Sequence, residues 1–121
     1  MRTRLLVGLL LSGAWLSLPR TGYAHAFLDH ADPKVGSTVR SPPGAVTLTF
    51  TEGVEPAFSK LEVDDANAKP VAVGDLEHPE SATLRVKLPA LPSGTYKVHW
   101  KVVSVDTHET EGTFAFTVET P

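Results

Sequence analysis

Short segments in which apolar and polar residues alternate are the feature that most constrains the fold of this chain. In the clearest one, residues 45–51, Val46, Leu48 and Phe50 alternate with threonines. A period of two places the apolar side chains on one face of a β-strand. Helical periodicity is nearly absent, so the sequence predicts an all-β fold.

Seven segments of this kind are separated by turn-forming Pro, Gly, Asn and Asp residues. They are residues 27–30, 45–51, 58–63, 70–73, 82–88, 95–105 and 113–118. Residues 74–81, which contain His78, are predicted to be a polar loop. Seven short strands with turns every ~8–12 residues are typical of a Greek-key β-sandwich or barrel. The side chains of Phe50, Tyr96, Trp100, Phe114 and Phe116 are predicted to lie in its core.

The first 24 residues have the pattern of a secretory signal peptide. Two arginines precede an apolar run from Leu5 to Leu18, and the small residues Gly22 and Ala24 stand before a candidate cleavage site. The apolar run is shorter than the ~20 residues that a membrane span requires. We therefore expect cleavage after Ala24, which leaves one mature domain at residues 25–121.

The charge and composition of that mature domain exclude several classes of function. Three of the 11 Lys and Arg residues lie in the first 24, so eight basic and 14 acidic residues remain, a net charge of −6. Such a domain is a poor ligand for nucleic acid or anionic lipid. The chain has no cysteine, and Met1 is its only methionine. A bound metal would therefore need His, carboxylate or backbone ligands.

Three residues are candidate metal ligands. Cleavage after Ala24 makes His25 the first residue, and its α-amine and imidazole Nδ1 can chelate one ion. Asp106 and His108 lie two positions apart, which in extended or turn-like backbone directs both side chains to the same side. Together these groups offer three nitrogens in a T shape and one oxygen. Tetragonal nitrogen and oxygen ligation suits Cu(II), whereas zinc prefers tetrahedral sites.

The remaining histidines have simpler interpretations. His99 precedes Trp100, whose side chain is assigned to the core, so His99 is expected to point outward. His78 is expected to be solvated in its loop. His30 ends the first predicted strand and either points away from His25 or contacts a ligand. Asp106 on its own would be interpreted as a turn residue that caps a strand end.

The mature chain resembles the CopC/PcoC family of periplasmic copper-binding proteins over nearly all of residues 25–121. The motifs that carry this likeness are His25-Ala-x-Leu, Pro33-x-x-Gly36-Ser37, Leu48-Thr49-Phe50-Thr51-Glu52, Gly94-Thr95-Tyr96-x-Val98-x-Trp100, Val103-Ser104-x-Asp106-x-His108 and Gly112-Thr113-Phe114-x-Phe116-x-Val118. The resemblance implies a small cupredoxin-like or Ig-like Greek-key β-sandwich. Two positions depart from the family pattern, because Glu109 follows the motif histidine where proline is frequent and His30 replaces a small polar residue.

The resemblance also implies a site and a role. It implies that His25, Asp106 and His108 bind one Cu(II) ion per mature chain, with Glu52 nearby as a hydrogen-bond partner of a ligand or of bound water. Some members bind Cu(I) through a methionine-rich loop, but residues 64–67 here read Asp-Asp-Ala-Asn, so Cu(II) alone is expected. The implied role is a periplasmic, monomeric protein of copper homeostasis or resistance. It would sequester copper or deliver it to an inner-membrane copper permease of the CopD type.

Two other classes of function remain open. One is a copper oxidase or monooxygenase that uses the same ligands as a histidine brace, and the other is an Ig-like interaction domain that binds no metal. Copper polysaccharide monooxygenases need a broad aromatic face, whereas the aromatics here are assigned to the core. No Ser-His-Asp set, paired carboxylate acid or phosphate loop is apparent. The sequence therefore predicts a binding protein and not an enzyme.

Overall fold

The computed structural model describes residues 26–121. They form eight β-strands and a 3-10 helix: β1 (Leu28–Asp32), β2 (Thr38–Val39), β3 (Ala45–Phe50), the helix (Pro56–Phe58), β4 (Lys60–Asp64), β5 (Glu77–Glu80), β6 (Thr83–Lys87), β7 (Gly94–Val103) and β8 (Glu109–Val118). The strands make two four-stranded sheets, with the orders β1-β3-β6-β5 and β2-β8-β7-β4. The predicted all-β sandwich is confirmed. Within this part of the chain no helix is long and apolar enough to span a membrane.

The order of the strands brings distant segments of the chain together. Among the described strands only β5–β6 and β7–β8 pair with a neighbour in sequence, and the chain otherwise crosses between the sheets. The β7–β8 hairpin is the longest pairing, with a continuous register from Gly94 opposite Val118 to Val103 opposite Glu109. The loop that joins these two strands is residues 104–108, so it contains the Asp-x-His motif.

The core lies between the sheets and is built by the alternation that the sequence shows. The burial pattern of β3 buries Val46, Leu48 and Phe50 and leaves the residues between them partly exposed. The rings of Phe50 and Trp100 meet edge to face with centroids 5.3 Å apart, which joins the two sheets. The core assignment of five aromatic residues is confirmed, whereas Phe27 and Phe58 are exposed; the buried ones are Phe50, Tyr96, Trp100, Phe114 and Phe116.

Some predicted strand positions were wrong. Residues 70–73 form no strand, and only an isolated bridge joins Pro70 to Asp64. Residues 77–80, predicted to be loop, form the edge strand β5, which pairs with β6. The sequence of β5, Glu-His-Pro-Glu, has no apolar face, so periodicity could not reveal it. The short strand β2 was also missed, and β8 begins at Glu109, four residues before the predicted start.

A close contact between Gly112 and Trp100 provides a test of the packing. The two residues are opposite each other in the β7–β8 register, and a Cβ at Gly112 would lie 2.6 Å from Trp100 Cζ2. We expect Gly112→Ala to lower the free energy of unfolding by about 1–3 kcal/mol, because the indole ring must shift within a packed core. Urea denaturation measures this effect. Gly44→Ala is the control, since a Cβ there meets no atom within 4 Å, and equal stability of the two variants would contradict the packing.

Candidate metal centre

The hairpin loop at residues 104–108 is closed by hydrogen bonds to one buried residue. Ser104 is fully buried, and its amide N donates to the carbonyl oxygen of His108 at 2.9 Å. The amide of His108 donates to Ser104 Oγ at 3.3 Å, and the amide of Thr107 donates to the Ser104 carbonyl at 2.8 Å. Because these bonds use the backbone of the loop, the side chains of Asp106 and His108 remain exposed.

The backbone between Asp106 and His108 is unusual. Thr107 has a φ of 68°, in the left-handed region that β-branched residues rarely adopt. Asp106 therefore lies in a turn, and the simple alternation of an extended strand does not describe its relation to His108. Backbone in this region persists only where its surroundings impose it, and such positions cluster at functional sites.

The segment between β3 and the 3-10 helix, residues 51–55, supports this loop. The amide of Val105 donates to the carbonyl oxygen of Gly53 at 3.0 Å, and the amide of Glu55 donates to the carbonyl oxygen of Val103 at 2.8 Å. A Cβ at Gly53 would lie 3.2 Å from Val105 Cγ1, so the two segments are in close contact. The end of β3 and the hairpin loop thus form one surface.

The start of the described chain is attached to the same end of the sandwich. Ala26 is fully buried, and its carbonyl oxygen accepts a hydrogen bond of 2.8 Å from Thr110 Oγ1. Thr110 is two residues after His108. The next residue, Phe27, accepts a bond of 2.8 Å from the amide of Thr51 and donates one of 3.0 Å to Thr51 Oγ1. Residue 26 is therefore held beside the hairpin although it is 84 positions from Thr110.

Glu52 lies in the supporting segment between Thr51 and Gly53. Its Oε2 atom is buried and has no hydrogen-bond partner in the described part of the protein. A buried carboxylate oxygen without a partner is costly, and most such atoms in proteins are satisfied. This oxygen therefore suits a nearby cation or hydrogen-bond donor, which is the environment expected beside a metal centre.

Three of the four predicted site residues, Glu52, Asp106 and His108, lie in the part of the chain that the structure describes. Asp106 and His108 lie in one loop, and the segment that carries Glu52 supports that loop through Gly53. His25 lies outside the described residues. Within residues 26–121 no group of three or more His, Cys, Asp or Glu residues is placed to hold a metal ion. A site with three protein residues at this loop would therefore need a ligand from outside that range.

The other three histidines have partners of their own. His30 Nδ1 lies 2.8 Å from Asp29 Oδ2 on an exposed part of β1. His99 points away from the core, and its Nε2 donates to Asp64 Oδ2 at 3.0 Å. His78, in β5 and exposed, contacts a backbone carbonyl oxygen at 3.1 Å. The pairing of His99 with Asp64 could not be read from the sequence, because it depends on the alignment of β4 with β7.

Comparison with known proteins shows a match to the CopC domain family over residues 28–119. Protein YobA of Escherichia coli K12 is 37% identical over 100 residues, which cover 80% of this chain and 81% of YobA. Copper resistance protein C of Escherichia coli is 31% identical over 121 residues, covering 92% of this chain and 94% of that protein. The copper transport protein CutJ of Bacillus subtilis is 31% identical over 104 residues, which are 84% of this chain but 19% of CutJ.

Solved structures agree with these matches. The crystal structure of CopC from Methylosinus trichosporium OB3b has a TM-score of 0.73 and 35% identity, covering 79% of this chain and 95% of that one. The crystal structure of PcoC, described as a methionine-rich copper resistance protein from Escherichia coli, has a TM-score of 0.74 and 30% identity. The match covers 79% of this chain and 100% of the PcoC chain. The sandwich is the same, and the names of the relatives support a copper-related function.

Proposed function

This chain belongs to the CopC family, and on that premise we propose that its mature form binds one Cu(II) ion through His25, Asp106 and His108. Its function is to sequester copper or to deliver it to a transporter, and not to catalyse a reaction. The supporting observation is the hydrogen bond from Thr110 to the carbonyl oxygen of Ala26. This bond holds Ala26 beside the hairpin loop, which supports a ligand contributed by the residue that precedes it in the chain.

The proposed ligand set depends on processing of the chain. If residues 1–24 are a signal peptide that is removed during export to the periplasm, His25 contributes both its α-amine and its Nδ1. His108 supplies a third nitrogen and Asp106 an oxygen, a set that suits Cu(II). The buried Oε2 of Glu52 then has a role, since it can accept a hydrogen bond from a ligand or from bound water and so orient it.

We assign the site to Cu(II) alone because the sequence has no thioether ligand after residue 1. PcoC is described as methionine-rich, whereas this chain has a single methionine, Met1. Residues 64–67, where the resemblance would place a methionine-rich loop, end β4 and enter a turn, and Asp65 Oδ1 accepts hydrogen bonds from the amides of Asn67 and Lys69. Oxygen ligands and turn backbone do not suit Cu(I), which prefers soft sulfur ligands.

The proposed partner is a membrane copper permease of the CopD type. The relative CutJ supports this proposal, because a segment similar to this chain is only 19% of that much longer protein, which is named a copper transport protein. A domain that is fused to a transport protein in one organism can serve the same task as a separate, monomeric chain in another.

Cu(II) binding by the secreted protein tests this function. We expect mass analysis to show a chain that begins at His25, and competition with a chelator to show one Cu(II) bound with sub-micromolar affinity. The EPR spectrum should be that of a tetragonal ion with nitrogen ligands. If no Cu(II) binds, the chain is better described as an interaction domain of Ig-like form. Turnover of a polysaccharide driven by ascorbate would instead identify a copper oxidase.

A further inference from the structure

Large apolar side chains are exposed at four places in residues 26–121. The exposed fractions are 57% for Phe27, 58% for Val35, 71% for Phe58 and 55% for Val105. Single exposed apolar residues are common on protein surfaces, but a cluster of them marks an interaction site. The position of these four residues in the fold therefore decides whether they have a function.

Phe27 and Val105 lie at the end of the sandwich that carries the hairpin loop. The backbone of Phe27 is bonded to Thr51, and the amide of Val105 is bonded to Gly53, two residues further along the same segment. Val105 directly precedes Asp106 in the chain. Both apolar side chains are thus attached to the segments that form the candidate metal centre.

Phe58 belongs to the same end of the molecule. It is the last residue of the 3-10 helix, which is bounded by Glu55 and Ser59. Both of these residues bond to Val103, the last residue of β7. The amide of Glu55 donates to the carbonyl oxygen of Val103 at 2.8 Å, and the amide of Val103 donates to Ser59 Oγ at 3.2 Å. The helix therefore lies against β7 where the hairpin loop begins.

Val35 lies elsewhere. It precedes Gly36, whose amide donates to the carbonyl oxygen of Ala115 at 2.8 Å. Ala115 is six residues along β8 from Glu109, where the hairpin loop ends, a distance of roughly 20 Å in a β-strand. Three of the four exposed apolar residues are thus at the end of the sandwich that carries the hairpin loop. Val35 is far from that end and can serve as a control.

We propose that Phe27, Phe58 and Val105 form an apolar rim on which the copper-accepting permease docks. The inference rests on the proposed function, and it adds the surface through which delivery occurs. Residues 106 and 108 are exposed at this end of the sandwich, so a partner that receives a copper ion from them contacts the same surface. Burying apolar side chains around the ion excludes water and contributes the main part of the binding free energy.

The charges beside the rim specify the chemistry of the partner surface. Glu55 precedes the 3-10 helix, Asp106 follows Val105, and Glu52 lies in the supporting segment, residues 51–55. Two lysines are also near: Lys60 follows Phe58 by two residues, and Lys101 lies opposite Lys60 in the β4–β7 register, with its Nζ paired with Glu109 Oε2 at 3.5 Å. Acidic residues outnumber basic ones here. The complementary surface is therefore apolar at its centre with basic residues around it.

The test measures binding of the mature chain, residues 25–121, to a CopD-type permease in lipid nanodiscs, with empty nanodiscs of the same lipids in parallel. We expect Phe58→Ser to weaken binding to the permease at least tenfold, because the variant no longer buries a large apolar side chain against the partner. Val35→Ser, the matched control, should bind as the unmodified chain does. Cu(II) affinity, measured separately by chelator competition, should be equal in all three proteins.

Three results would overturn the inference. If Phe58→Ser and Val35→Ser bind the permease equally and both still bind Cu(II), the apolar rim is not the docking surface, and the proposed copper site is unaffected. Equal binding to permease and empty nanodiscs identifies a lipid surface as the occupant. Self-association of the mature chain that is lost in Phe58→Ser identifies a second copy. Absence of Cu(II) binding, in contrast, is a failure of the proposed function and is seen without the permease.

Discussion

One additional residue placed before His25 is expected to weaken Cu(II) binding by about 10²–10⁴-fold, the range by which joining two donors in one molecule raises affinity. The extra residue converts the α-amine into a peptide nitrogen, so the chelate that involves the amine and Nδ1 is lost. The side chains of His25, Asp106 and His108 are unchanged. Competition with a chelator of known affinity measures the effect.

The design of this experiment allows a direct control. In a second form, the extension is a protease recognition sequence that is cleaved immediately before His25, so that the same sample is measured before and after removal. Full recovery of affinity on cleavage assigns the loss to the amine and not to misfolding. Because protons compete with Cu(II) for the amine, the affinity of the cleaved form should also fall as the pH is lowered. Equal affinity before and after cleavage would rule out the amine as a ligand.

The substitution His108→Ala is expected to reduce Cu(II) affinity nearly as much. It removes the third nitrogen, which no other described histidine is placed to replace. The folded structure should tolerate it, because the side chain is exposed and the bonds between residue 108 and Ser104 are made by backbone atoms of residue 108. Chelator competition measures the affinity, and thermal unfolding of the apoprotein checks that the fold is retained.

Two histidines provide matched controls for His108. His78 is exposed in the edge strand β5, and His99 pairs with Asp64 on the outer face of β7. We expect His78→Ala and His99→Ala to leave Cu(II) affinity unchanged, although His99→Ala loses a hydrogen bond of 3.0 Å. A loss of affinity in either control that equals the loss in His108→Ala would show that the ligands are not those of the hairpin loop.

The alternation of apolar and polar residues predicted a strand well where one face of that strand is buried. The strand at 45–51 was predicted to within one residue, because alternation of Val46, Leu48 and Phe50 with threonines has one interpretation. The pattern failed at residues 70–73 and in β5. The strand β5 is made by pairing with β6 and by an ion pair of 2.9 Å between Glu77 Oε1 and Arg85 Nη2, and neither produces an alternation of apolar residues.

The sequence by itself determined the inward faces of the main strands and the side-chain donor atoms that the chain can offer a metal. Those properties are local, since each depends on residue type and short spacing. Only the tertiary structure decided that Ala26 is bonded to Thr110, that the Oε2 atom of Glu52 is buried without a hydrogen-bond partner among the described residues, and that Phe58 lies beside the hairpin loop. Each of these depends on which strands pair across long separations, and that choice is made by packing of the whole core.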